Sequence, residues 1–119
     1  MKIKLLSLTL FFLLNSSQSF AEIYEVNNEK IKTLLESSVP LIDIRTEGEW
    51  NETGVINNSH LLTFFDKDGN YDFKKWMIEI GEIADENGPV IIMCRSGRRS
   101  HIVTSMTVSY THLTLPTKA

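Results

Sequence analysis

The apolar positions of this chain recur with two different periods, and the switches between them outline its elements. After a short apolar-alternating piece at Ile23–Val26, read as a weak strand, Asn28 can cap a helix with Ile31, Leu34 and Leu35 on one face. In "VPLIDIR", Leu41, Ile42 and Ile44 read as a buried strand that ends in charge. "TEGEW" reads as a turn or a single helical turn. "GVINNSHLLTFF" is irregular, with a short strand expected at His60–Thr63, and "DKDGNYD" is a surface loop. Asp72 then caps the clearest helix, where Phe73, Trp76, Met77, Ile80, Ile83 and Ala84 recur at helical spacing until Gly88-Pro89. "VIIM" (Val90–Met93) is a continuous apolar run, the pattern of a strand covered on both faces. "HIVTSM", just beyond, can start a helix. Strand and helix alternate, which predicts an α/β fold: a parallel sheet with helices on both faces, Leu41–Ile44 and Val90–Met93 being neighbours in it. No repeat or low-complexity stretch interrupts this order.

The two ends do not fit the pattern. Residues 1–21 have a basic start (Lys2, Lys4), an apolar run from Leu5 to Leu14 and small residues at Ser19 and Ala21. That is the layout of a signal peptide cleaved after Ala21, and the apolar run is shorter than the roughly 20 residues of a membrane span. An exported protein, periplasmic or secreted, with no membrane attachment after cleavage, is expected. At the other end, "VSYTHLTLPTKA" (Val108–Ala119) continues neither period. It resembles translated adapter sequence, so residues 108–119 are expected to be a poorly packed, non-native tail, with one domain over residues 22–107.

Composition narrows the function classes. The chain has 119 residues, room for one domain, and a net charge of −3. Without Lys2 and Lys4 it carries ten basic residues against 15 acidic, a net −5. Neither nucleic acid nor an anionic membrane suits such a surface. Its three histidines show no metal-ligand spacing, and no cofactor is expected. Trp50 and Trp76 read as core or core-edge aromatics.

Against this acidic background, "CRSGRRS" (Cys94–Ser100) holds the single cysteine and three of the four arginines. One cysteine forms no internal disulfide, and in an exported chain it is a reactive thiol or an intermolecular partner. A buried core thiol is the plainer alternative, but Arg95, Ser96, Gly97, Arg98 and Arg99 could not all follow it inward. The stretch lies between the C-terminal end of a buried strand and a helix N-terminus, the edge where open α/β sheets bind ligands. A glycine there lets several N–H groups turn towards one centre, and the helix end and arginines add positive charge. All of these favour an anion, and a thiolate over a thiol.

"CRSGRRS" resembles the active-site loop of the rhodanese family: cysteine, two residues, glycine, one residue, arginine, serine. "LIDIRTEGEW" is similar to that family's strand ending in Asp-x-Arg and followed by an acidic-aromatic pair. "GVINNSHLL" matches a further segment loosely, with Val55 at the usual histidine and Asn58-Ser59 at the usual Gly-Ala. The resemblance runs from about Tyr24 to Met106 and implies a three-layer α/β/α domain whose last helix and strand are missing here. In the family that strand lies between the first strand and the cysteine-bearing one, so Ile23–Val26 would lose its neighbour and Val90–Met93 would become an edge.

The resemblance further implies sulfur transfer. Cys94 would take the outer sulfur of a small anionic donor such as thiosulfate, carry it as a persulfide and pass it to a thiol or cyanide acceptor. Arg95, Ser96, Gly97, Arg98, Arg99 and Ser100 would bind the donor, with Arg99 closing the loop and Arg95 and Arg98 facing outward. Ser100 would cap the helix or donate to the loop. Asp43 and Arg45 would support the site near its mouth. Arg45 and Glu49, four apart, are expected to pair with each other in a structural role. Two rivals stand beside this reading. A phosphatase or arsenate reductase would need five residues between cysteine and arginine, whereas Cys94 and Arg99 enclose four. A non-catalytic binding module would keep the fold without the chemistry.

Overall fold

The structure, a computed structural model, describes residues 22–114. The putting-together of elements follows the sequence order: α1 (Asn28–Glu36), β1 (Leu41–Asp43), α2 (Glu47–Thr53), β2 (His60–Leu61), α3 (Phe73–Ile83), β3 (Ile91–Met93) and α4 (Arg98–Thr114). The three strands form one parallel sheet in the order β2-β1-β3. Leu41, Ile42 and Asp43 of β1 stand beside Ile91, Ile92 and Met93 of β3, so the two apolar runs are parallel neighbours, as their patterns predict.

Side chains alternate across a strand, and this assigns each face. Ile42 and Ile44 join Phe64, Trp76, Ile80 and Val103 in one buried cluster, with Ile92 and Cys94 packed against it. Leu41 and Ile91, partners in register, are buried outside that cluster, on the other face. Both faces of the central strand are therefore dry, which is why its sequence is apolar without interruption until Asp43.

Local chemistry sets the helix boundaries. Asn27, not Asn28, caps α1 by accepting a hydrogen bond from the Lys30 N–H. Thr46 does the same for Glu49 and makes "TEGEW" the start of a seven-residue helix longer than the single turn expected. Asp72 caps α3 as its sequence predicts. The indole N–H of Trp76 donates to the Leu62 carbonyl at 3.2 Å and ties α3 to the segment after β2. Asn58 has φ +66°, a left-handed conformation that asparagine tolerates better than most residues, so it substitutes there for glycine without breaking the turn.

Two expectations are corrected. Ile23–Val26 forms no strand, because a short apolar piece is extended only when another strand hydrogen-bonds to it, and β3 is the edge of the three-strand sheet on that side. The expected end of helical structure near residue 107 is also passed: α4 runs to Thr114, and the Tyr110 ring packs edge-on against Phe73 at 5.7 Å. No apolar stripe marks this part of the helix in sequence, and contact with α3 supplies what periodicity lacks. Residues 1–21 and 115–119, where the leader and the last part of the tail were assigned, lie outside the described residues. Among the described residues no helix is long and apolar enough to cross a membrane.

Candidate active site

Cys94 follows directly on Met93, so β3 delivers the sulfur to the C-terminal edge of the sheet, and α4 begins four residues later. Between them the chain folds back on the sulfur. The Gly97 N–H donates to Cys94 Sγ at 3.1 Å, and Gly97 takes φ +88°, a conformation that residues with a Cβ rarely adopt, which turns the chain after it towards the start of α4. The Ser100 N–H, in the first turn of α4, also donates to Sγ, at 3.3 Å, and the Ser100 hydroxyl lies 3.4 Å from it. Burial of the half-buried sulfur opposes ionisation and is the largest single influence. The Ser100 hydroxyl and the N–H groups of Ser100, Gly97 and Ser96 together outweigh it, so the thiol titrates below its ordinary value.

The arginines do not have the place in this effect that the charge pattern suggests. The groups that lower the thiol are Ser100 and the loop N–H groups. Arg95 and Arg98 are exposed, while half-buried Arg99 is turned away to Glu49, with Nη2 to Oε2 at 2.9 Å. The pair joins α2 to α4 across 50 residues of sequence.

Glu49 is thus not the partner of Arg45, as i, i+4 spacing predicts. That rule needs both residues in one helix, and Arg45 precedes α2. Asp43 and Arg45 instead share one side of the extended chain at the end of β1. The Arg45 Nε donates to Asp43 Oδ1 at 3.0 Å and Nη2 to Oδ2 at 2.9 Å, both residues being buried. The remaining guanidinium donors reach the Thr53 hydroxyl at 2.7 Å and the Gly54 carbonyl at 2.8 Å, and the Thr63 hydroxyl donates to the Arg45 carbonyl. Burial pushes the Asp43 carboxyl up more than any other single influence. The Arg45 side chain and N–H and the Trp50 indole together overcome this and hold it below the usual carboxylate range. Trp50 Nε1 is itself buried without a well-formed hydrogen bond, so its effect on Asp43 is that of a nearby dipole. Asp43 and Arg45 lie beneath the edge of the sheet rather than lining a mouth.

An open cleft of about 600 Å³ runs beside the loop, lined by Thr46 and Glu49 of the α2 start, Lys67 and its turn, and Arg99 and Ile102 of α4. Lys67 was not singled out in sequence, where it is one polar residue in a polar loop. His60 and His101 are exposed. Among the described residues no three His, Cys, Asp or Glu side chains are gathered as a metal site.

Comparison with known families gives a match to the rhodanese-like domain over residues 27–115. The chain belongs to this family. Neither a curated protein nor a solved structure matches it. The rhodanese-like match covers every element from α1 to α4 and extends beyond residue 107, past the domain boundary drawn from periodicity.

Proposed function

We propose that this rhodanese-like domain is a sulfurtransferase that carries a sulfane sulfur on Cys94. The observation that carries the reading is the set of groups around Sγ: two N–H donors within 3.3 Å and the Ser100 hydroxyl at 3.4 Å, with no carboxylate among them. A sulfur so held ionises more readily than an ordinary thiol yet keeps its lone pairs for attack. The thiolate attacks the outer sulfur of a donor such as thiosulfate. A sulfur–sulfur bond forms to Cys94, the donor's own sulfur–sulfur bond breaks, and its electron pair leaves on sulfite. Exposed Arg95 and Arg98, which follow the sulfur closely in sequence, supply positive charge for the anionic donor. A thiolate or cyanide then attacks the outer sulfur, and the electron pair of the breaking bond returns to Cys94.

The loop's size favours sulfur over phosphate chemistry. Ser100 stands where a cysteine-dependent phosphatase has its phosphate-gripping arginine, and its hydroxyl faces the nucleophile. The test is intact mass spectrometry of the reduced protein after incubation with thiosulfate. One added sulfur atom, removed by cyanide as thiocyanate, is expected. No gain from thiosulfate or from any persulfide donor overturns the reading and leaves a binding module. The leader read from residues 1–21 adds the proposal that this chemistry is carried out after export.

A further inference from the structure

Ser100 has one hydroxyl proton and two acceptors within reach. Its Oγ lies 3.0 Å from the Gly97 carbonyl and 3.4 Å from Cys94 Sγ. When Cys94 is a thiol, the S–H donates to Ser100 Oγ and the hydroxyl proton goes to Gly97. When Cys94 is a thiolate, that S–H proton is gone and Sγ can accept. Rotating the hydroxyl away from Gly97 leaves no orphan, because the Gly97 carbonyl also accepts the His101 N–H at 3.0 Å, the first helical bond of α4. The rotor therefore has two satisfied positions, and only the charge on sulfur chooses between them.

We infer that the Ser100 hydroxyl is a charge-following donor: it turns to Cys94 Sγ when the sulfur is a thiolate and back to the Gly97 carbonyl when the sulfur is protonated or bonded to a second sulfur. In the persulfide the negative charge sits on the outer sulfur, so Sγ is a poorer acceptor than in the free thiolate. Ser100 then gives its largest stabilisation to the sulfur that departs when an acceptor takes the outer atom. It acts as a catalytic residue of the discharge step, through contact with the leaving thiolate. This second part rests on the sulfurtransferase reading; the first does not.

The experiment separates them. The rate of Cys94 alkylation by iodoacetamide is measured against pH for the full chain and for Ser100→Ala and Ser100→Thr. The midpoint in Ser100→Ala is expected to rise by about one unit, the effect of losing a hydrogen bond to a charged group, and Ser100→Thr is expected to restore it. An unchanged midpoint in Ser100→Ala overturns the inference. The chain has one cysteine, so a single S–H stretching band is available in wild type at low pH, whatever the variants do. A band shifted down by hydrogen bonding supports the rotor, and one at the free-thiol frequency overturns it. For the second part, protein loaded with sulfur is discharged by cyanide. Discharge about tenfold slower in Ser100→Ala supports the leaving-group role, and equal rates overturn it. Failure of wild type to load at all overturns this part together with the sulfurtransferase reading, while the alkylation result still decides the first.

Discussion

Two neighbouring strands end in two different treatments of negative charge. At the end of β1, the Asp43 carboxylate is buried and answered by a whole counter-charge, the two-pronged guanidinium of Arg45. At the end of β3, on the opposite face, the Cys94 sulfur is half-buried and answered by dipoles alone: N–H groups and a hydroxyl. Both groups are shifted towards their anions. An ion pair of the first kind uses up the lone pairs of its acceptor and locks two side chains. A ring of N–H donors stabilises charge without covering the atom, so the anion can still attack. The first arrangement braces the fold, and the second leaves its sulfur open to an approaching reactant.

The sharpest break of this comparison is Cys94→Ser, which keeps the loop's shape and removes the polarisable sulfur. Sulfur gain from thiosulfate, read by intact mass, should fall to zero while thermal unfolding changes little, because serine oxygen forms no persulfide. Removing one member of the buried pair has the largest effect on stability. Arg45→Met leaves Asp43 without its counter-charge and should destabilise the fold by about 3–5 kcal/mol in urea titration. Asp43→Asn in the same chain should recover part of that loss, since it removes the stranded charge.

The third effect is smaller and tests the loop. Gly97→Ala places a Cβ at φ +88° and should destabilise by about 1–2 kcal/mol, with the midpoint of thiol alkylation moving up as the downstream Ser100 N–H is drawn off the sulfur. Acid gives a fourth. The native Asp43 carboxyl titrates below its unfolded value of about 3.9. Its contribution to stability is therefore complete above that value and drains away as pH falls through the lowered native one. Unfolding followed from pH 6 downward should show this loss in wild type and not in the Asp43→Asn, Arg45→Met chain. The smallest effect is Glu49→Gln. The Glu49 and Arg99 side chains are 25% and 27% exposed, so their pair should contribute less than about 1 kcal/mol, and that contribution should shrink further in high salt.

Legibility in the sequence followed the range of the interactions. The cysteine loop was readable because its parts are contiguous: glycine for the turn, the helix start behind it and the apolar run in front. The parallel pairing of β1 and β3 was readable because both are apolar on two faces. The partner of Glu49 was not, since it is set by how α2 and α4 meet, and Arg45 offered a nearer cation at helical spacing. Strand period was the better guide there, because Asp43 and Arg45 are two apart on an extended chain. Ile23–Val26 and the end of α4 failed for the same reason in opposite directions: one apolar piece lacked a neighbour to pair with, and one stretch without periodicity gained a neighbour in Phe73.

Nothing lies within 4 Å of where a Cβ would project from Gly97. The position excludes side chains by handedness, not by volume. A D-amino acid favours the backbone angles that Gly97 holds, so a chain assembled by chemical ligation with D-alanine at residue 97 should close the loop and ionise Cys94 as glycine does, where L-alanine fails. The selection at this residue is thus of mirror image.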